Sequence, residues 1–232
     1  LLGGSRPPRG LPCALVVMKN LTLRLLVPVL ATTVAAGMQG MKPVTVPRGD
    51  GAPVITDGIF TAGEWDDALK IVVNDGVTLH LKELRGVVFV GVRGGQPNGI
   101  GPTEVSLAGS DGVIRTLHVS FALAEVVVPP DGPKPKLRLG ATSDWYANEL
   151  RRDEEERARL QKEGKDPMSI MQATTYPSDG IEFAIRRSKI PGSVWRLRLW
   201  ASAFSEGKPG MVTYPPAAAE RVADGWLELR LQ

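Results

Sequence analysis

The residues of this sequence whose types and spacing suit ligand chemistry are aromatic side chains that alternate with charged ones. Trp200 falls on the same strand face as Arg198, and Trp226 falls on the same face as Glu228. Aromatic rings stack on the C–H groups of a sugar ring, while charged and amide groups beside them bind its hydroxyls. The pattern predicts a platform for a carbohydrate or another cell-envelope ligand. The predicted ligand-binding residues are Trp200, Trp226, Trp145, Tyr146, Arg198 and Glu182.

A structural interpretation of the same aromatic residues stays open beside the functional one. In that alternative, a charged helix covers the face and the tryptophans pack beneath it. The aromatic content of 6% is low for a sugar-binding surface. Two further aromatic residues fall in predicted loops, Tyr176 and Tyr214.

Two kinds of metal or cofactor site have candidate residues, although neither has a diagnostic spacing. Asp57, Asp66 and Asp67 bring hard oxygen ligands together and are weak candidates for a structural calcium ion. Haem would need axial histidine or methionine ligands, and it is the less favoured possibility. The available side chains for haem are His80, His118, Met168, Met171 and Met211.

Catalytic motifs are missing from the sequence, so we expect a binding protein and not an enzyme. There is no His-x-x-x-His pair and no Gly-x-Ser-x-Gly element. The acidic run at 153–156 reads as a solvated helix face, which has nothing to shift a pKa. The glycine-rich loop at 94–101 lacks the following helix that a phosphate site needs.

The elements that must position these residues follow a period of two. Strands are predicted at 77–82, 87–92, 114–121, 181–185, 194–200 and 226–231. Short strands separated by Gly and Pro turns favour an all-β fold, an antiparallel β-sandwich of the jelly-roll or immunoglobulin-like kind. Leu117, Phe183 and Leu229 should face its interior. The segment 143–162 predicts one charged surface helix in a long connection, capped by Asp144.

The N-terminal region has the pattern of an export signal. Met18, Lys19 and Arg24 precede a short apolar run that ends near Ala36. We therefore expect 1–17 to lie upstream of the true start, 18–36 to be a signal peptide, 37–51 a linker and 52–232 the folded domain. The protein would then be secreted or periplasmic, without a membrane span in the mature chain. The rival interpretation is an uncleaved membrane anchor.

The charge balance excludes one class of partner. Residues 1–36 carry four basic residues and no acid, which leaves 24 basic and 25 acidic residues in the rest. A balance this close to zero gives no electrostatic footprint for nucleic acid. The one cysteine, Cys13, lies upstream of the predicted signal, so the mature chain would have no disulfide.

The opening of the predicted domain resembles a known family. Residues 54–68, with Asp57-Gly58 followed by Glu64-Trp65 and Ala68, are similar to the start of family 9 carbohydrate-binding-module-like domains, relatives of the DOMON superfamily. The strands at 87–92, 180–185 and 195–198 also fit the later order of that family, so the resemblance covers 52–232. It implies a β-sandwich that binds sugars or, in DOMON relatives, haem.

The motif has an architectural interpretation as well. We expect Asp57-Gly58 to form a tight turn after the first strand, and Trp65 to plug one end of the sandwich. Together, these observations predict an exported, non-catalytic binding domain. The alternative is a scaffold domain of the envelope, whose sheet face meets a protein partner.

Overall fold

The computed structural model describes residues 41–232 except 75, 133, 152, 166–175 and 206–207. The strands are β1 (Val44–Val46), β2 (Leu69–Asn74), β3 (Val77–Leu84), β4 (Val87–Gly94), β5 (Ile100–Ala108), β6 (Ile114–Val119), β7 (Leu123–Val128), β8 (Lys136–Leu139), β9 (Trp145–Ala147), β10 (Gly180–Arg186), β11 (Val194–Ser205), β12 (Lys208–Tyr214) and β13 (Leu227–Leu231). One α-helix, α1 (Glu154–Lys162), and a 3₁₀ turn, Arg187–Lys189, complete the described elements. The predicted signal peptide lies outside the described residues.

The strands form two sheets, as the sequence predicts for an all-β sandwich. The larger sheet has the order β1-β13-β11-β5-β6-β7-β8, with β12 paired to the second half of β11. The smaller sheet has the order β2-β3-β4-β10-β9. All these pairs are antiparallel except β1 with β13, which is parallel. The fold prediction is confirmed.

The core lies between the two sheets and is built by the alternation seen in the sequence. Leu117 and Leu229 from the larger sheet and Phe183 from the smaller one have no exposed surface and belong to one apolar cluster. β4 is the middle strand of the smaller sheet, and both of its faces are covered. Its residues are therefore apolar on both sides, as expected for a central strand.

The segment predicted as a linker, 37–51, is in part a strand. Val44–Val46 pairs in parallel with the end of β13, and Val46 is fully buried in the core. The prediction failed because two prolines and two glycines suggested a loose arm. Val44 and Val46 nevertheless point the same way in an extended chain and supply apolar surface to the core.

The predicted helix is shorter than expected and begins nine residues later. Asp153, not Asp144, is its N-cap, and the Asp153 Oδ1 accepts a hydrogen bond from the Glu156 N–H at 3.0 Å. Trp145 instead lies in β9, where it points into the core. No residue of α1 is buried, so the helix is a solvated surface element.

The segment 52–67, called the covering layer below, packs over the outer face of the smaller sheet. The alternation that puts Leu79 and Leu81 in the core points His80 and Lys82 outward, yet both outward residues are buried. Phe60 and Trp65 lie over this face above Gly91, where a Cβ would approach both rings at 2.9 Å. Trp65 therefore packs on the outside of a sheet, and the expectation that it plugs the end of the sandwich is wrong.

Candidate functional site

The predicted platform is not assembled in the structure. Trp200 and Arg198 lie on the larger sheet, whereas Trp145, Tyr146 and Glu182 lie on the smaller one. Trp145 is 2% exposed within the core, so a ligand cannot stack on it. The prediction failed because a period of two tells which face a residue takes but not which sheet carries it.

On the larger-sheet side, Trp226 and Arg198 are covered by the loop that immediately precedes Trp226 in the chain. Trp226 is 5% exposed, and its Nε1 donates to the Ala219 carbonyl at 2.8 Å. The Arg198 Nε donates to the Ala218 carbonyl at 3.2 Å. Trp200 is half-buried beside Glu104 in the strand register. The segment around 218–223, and not the charged helix, covers this face.

A cleft of about 380 Å³ opens at the edge of the smaller sheet, and it contains two exposed tyrosines. Tyr146 is 47% exposed and Tyr176 is 53% exposed. The cleft is lined by Thr56, Asp57, Ile59, Tyr146, Asn148, Glu149, Leu150, Arg151, Tyr176, Pro177 and Ser178. Hydroxyl, carboxylate, amide and guanidinium groups thus surround two aromatic rings. Of the predicted ligand residues, the structure brings Tyr146 to this cleft.

One wall of the cleft is the Asp57-Gly58 turn, which Glu182 holds in place. The Glu182 Oε2 accepts the N–H groups of Asp57 at 3.1 Å and Gly58 at 2.8 Å, and its Oε1 accepts the Trp65 Nε1–H at 2.9 Å. Gly58 has a φ of +87°, and a Cβ there would lie 2.6 Å from the Asn148 amide nitrogen. The motif residues therefore build the wall through a buried carboxyl on a distant strand.

Glu182 is a structural group and not a ligand contact. It has no exposed surface, and its backbone N–H donates to the Asn148 Oδ1 at 2.7 Å. Burial raises the pKa of Glu182 to about 7, with the charges of Asp57 and Glu64 acting in the same direction and the hydrogen bonds from Gly58 and Trp65 opposing it. The prediction that Glu182 lies beside a tryptophan platform is wrong, because its side chain points to the outer face of the smaller sheet and is enclosed by the covering layer.

Hydrogen bonds join the 176–179 segment to this turn and to the chain at Arg151. The Asp179 N–H donates to the Gly58 carbonyl at 2.7 Å, and the Asp179 Oδ2 accepts the Phe60 N–H at 3.0 Å. The Tyr176 N–H donates to the Arg151 carbonyl at 3.0 Å. The cleft is therefore preformed, which reduces the ordering entropy that a ligand must offset on binding.

The calcium candidates do not converge on a common site. Asp67 forms a 2.9 Å ion pair with the fully buried Lys82, and it also accepts the Asp50 and Gly51 N–H groups at 3.1 and 3.0 Å. Burial would raise the pKa of Asp67, but the hydrogen bonds, led by Lys82, outweigh it and hold the pKa below its usual value. The Asp57 Oδ1 caps the Ile59 N–H at 2.8 Å.

Asp66 is exposed on the surface. Among the described residues, no group of three or more His, Cys, Asp or Glu side chains is arranged to hold a metal ion. Lys82 is the cation that Asp67 binds, and Asp57 and Asp66 lie apart from that ion pair, so the calcium prediction finds no support in this geometry.

The haem candidates are also separated. His80 packs edge-on against Phe60 and Trp65, with ring centroids at 5.2 and 5.7 Å, on the outer face of the smaller sheet. His118 lies on β6 of the other sheet, where its Nδ1 is 3.1 Å from the Glu104 Oε1. The two histidines cannot ligate one iron. Met211 is 77% exposed, and Met168 and Met171 lie outside the described residues.

Comparison with known proteins gives no relative for this chain. No family model, curated protein or solved structure matches it. The resemblance of residues 52–232 to carbohydrate-binding-module-like domains therefore stays a prediction. In addition, no helix within the described residues is long and apolar enough to cross a membrane.

No sequence pattern predicts that Tyr176 lies in the same cleft as Tyr146. Tyr176 follows a long connection without periodicity, so pattern alone could not place it against β9. Tyr214, the other loop candidate, ends β12 and is 9% exposed at the core. The one available signal was the Asp57-Gly58 motif, because its turn forms part of the wall that the tyrosines share.

Proposed function

We propose that this chain is an exported, non-catalytic β-sandwich domain that binds carbohydrate in the cleft lined by Tyr146 and Tyr176. The observation that carries the proposal is the presence of both exposed rings in one preformed cleft. A sugar offers C–H faces for stacking and hydroxyls for hydrogen bonds, and the cleft presents groups for both. The sequence pattern of residues 18–36 supports export.

The state of the carboxyl groups supports binding without catalysis. Glu182, whose raised pKa would suit an acid catalyst, is fully buried, and its two oxygens accept three N–H groups. The Asp57 Oδ1 caps the turn that forms the wall. Glu182 shapes the cleft from beneath the turn and has no surface open to a ligand. Asp57 is exposed in the cleft wall, where its carboxylate can accept a hydrogen bond from a sugar hydroxyl.

A glycan array followed by calorimetric titration tests the proposal. We expect binding to fall about tenfold or more for Tyr146→Ala or Tyr176→Ala, since each ring contributes stacking and buried area. Tyr→Phe at the same positions should retain most of the affinity if stacking dominates. Met211→Ala, an exposed change on the other sheet, is the matched control. Equal binding by all these variants would refute the assignment of the cleft.

A second candidate function, a protein-interaction scaffold, is favoured by strand β8. It is one of the edge strands of the larger sheet, and Leu137 and Leu139 are 64% and 82% exposed. Such an edge can accept a further strand from a partner. Lys136 and Arg138 favour an extended partner segment that carries acidic residues. No glycan signal, together with a complex that Leu139→Glu abolishes and Tyr146→Ala leaves intact, would support this alternative.

A further inference from the structure

A second cleft adjoins the first one on the other side of Tyr146. It has a volume of about 270 Å³, and Tyr146 belongs to the lining of both clefts. The second cleft is lined by Val87, Thr142, Ser143, Asp144, Trp145, Tyr146, Ala184 and Arg186. The ring of Tyr146 is therefore a shared boundary and not the end of a closed pocket.

The position of Tyr146 in the sheet explains why its ring is open. β9 is the edge strand, so Tyr146 has a paired neighbour on one side only. That neighbour is Ala184, whose methyl group is too small to cover an aromatic ring. The alternation of β9 places Trp145 and Ala147 in the core and leaves Tyr146 as the residue that faces outward.

Hydrogen bonds fix the residues that line the second cleft, as they do in the first. The Arg186 Nε donates to the Ser143 carbonyl at 2.8 Å, and the Arg186 N–H donates to the Asp144 carbonyl at 2.8 Å. The Thr142 Oγ1 accepts the Asp144 N–H at 3.3 Å. These contacts fix the 142–144 loop against β10, so a ligand there would meet a preformed surface.

We propose that the two clefts are adjoining subsites for a neutral linear oligosaccharide of at least two units, which crosses the ring of Tyr146. This inference rests on the proposed carbohydrate-binding function. A ligand confined to the first cleft would leave one side of the exposed ring in water. A longer chain covers both sides and reaches the hydroxyl, carboxylate and guanidinium groups of the second cleft.

The charges that line the two clefts favour a neutral glycan. The first cleft carries Asp57 and Glu149 against Arg151, and the second carries Asp144 against Arg186. A polyanionic glycan would need an excess of cations, whereas this surface is balanced or slightly acidic. Carboxylate and guanidinium groups in nearly equal number suit the donor and acceptor hydroxyls of an uncharged sugar.

Calorimetric titration of the purified protein with cello-, xylo-, manno-, malto- and chito-oligosaccharides of one to six units tests the inference. For the series that binds, we expect affinity to rise about tenfold when the chain becomes long enough to pass Tyr146. Ser143→Trp fills the second cleft from an exposed loop position, and it should remove this increase while leaving the shortest ligand unaffected. Leu137→Trp, at an exposed site on the other sheet, is the control.

The outcomes separate this inference from the function on which it rests. Binding of short ligands without a gain in affinity for longer ones overturns the second subsite and leaves the first. A preference for oligogalacturonides over neutral chains overturns the neutral class. If Ser143→Trp lowers the melting temperature, Asp144→Ala takes its place, with the same loss of length dependence expected. If none of the oligosaccharides binds, both proposals are overturned.

Discussion

Glu182 and His80 should give the stability of this protein two opposing pH dependences that nearly cancel. They lie on the outer face of the smaller sheet, one on each side of Gly91 in the strand register. Burial raises the pKa of Glu182 to about 7. Burial, together with the charges of Lys70 and Arg93, lowers the pKa of His80 to about 4. Each shift acts on the free energy of unfolding with its own sign.

The signs follow from which state binds the proton more tightly. Folded Glu182 holds its proton better than the unfolded chain, whose value is 4.5, so its contribution to stability is lost as the pH rises from 4.5 to about 7. Folded His80 holds its proton less well than the unfolded value of 6.5, so its contribution is lost as the pH falls from 6.5 to about 4. Each group changes stability by about 3 kcal/mol over its window.

Urea unfolding at several pH values, followed by tryptophan fluorescence, measures these contributions. Between pH 4.5 and 6.5 we expect the stability of Glu182→Gln to rise by about 2–3 kcal/mol, because only His80 still titrates. The stability of His80→Phe, which keeps a ring packed against Phe60 and Trp65, should fall by a similar amount over the same pH range. The free energy of unfolding of the native protein, and that of the double variant Glu182→Gln/His80→Phe, should both depend only weakly on pH.

The slope with pH is the readout, because Glu182→Gln also lowers stability at every pH by replacing an acceptor oxygen with an amide donor. Asp67 and Asp111 have lowered pKa values and titrate below this window, and they are present in every variant. Parallel pH profiles for the native protein and both single variants would refute the reasoning. They would mean that neither burial nor the covering layer perturbs these two groups.

Two further substitutions test the covering layer itself. Lys82→Met should lower the free energy of unfolding by about 3–5 kcal/mol, because it leaves Asp67 without its buried cation; urea unfolding should show that Asp67→Asn in the same chain recovers part of the loss. Gly91→Val should cost about 1–3 kcal/mol and change the near-ultraviolet circular dichroism, since its side chain would displace Phe60 and Trp65. An unchanged spectrum would contradict the packing described here.

The sequence predicts the sandwich well because its core depends on a period that is visible residue by residue. Trp195, Leu197 and Leu199 alternate in the sequence, and all three are fully buried. The site was harder to predict, because it depends on contacts between residues far apart in the chain. Glu182 holds a turn 124 residues away, at Gly58, and no local pattern reveals such a pairing.

The error over the tryptophans has the same physical origin. A period of two predicts that a residue points outward from its sheet, but an outward face can carry another layer of chain. Trp226, one residue before β13, is buried beneath the segment around 218–223. Tyr146 obeys the same alternation and is 47% exposed. What distinguishes the two residues is the path of the connecting segments, which depends on tertiary contacts.

The place where the covering layer ends explains why the cleft forms at β9. Lys82 on β3 binds the layer through the Asp67 carboxylate and the Ala52 and Glu64 carbonyls, and Glu182 on β10 binds it through the Gly58 turn. Beyond β10 the smaller sheet has only its edge strand, β9. The Asp57-Gly58 turn ends beside β9 and forms a wall of the cleft there, without covering the strand. The same buried groups that attach the layer to the sheet therefore fix the border of the cleft. A change that loosens either anchor should alter ligand affinity without touching a residue that contacts the ligand.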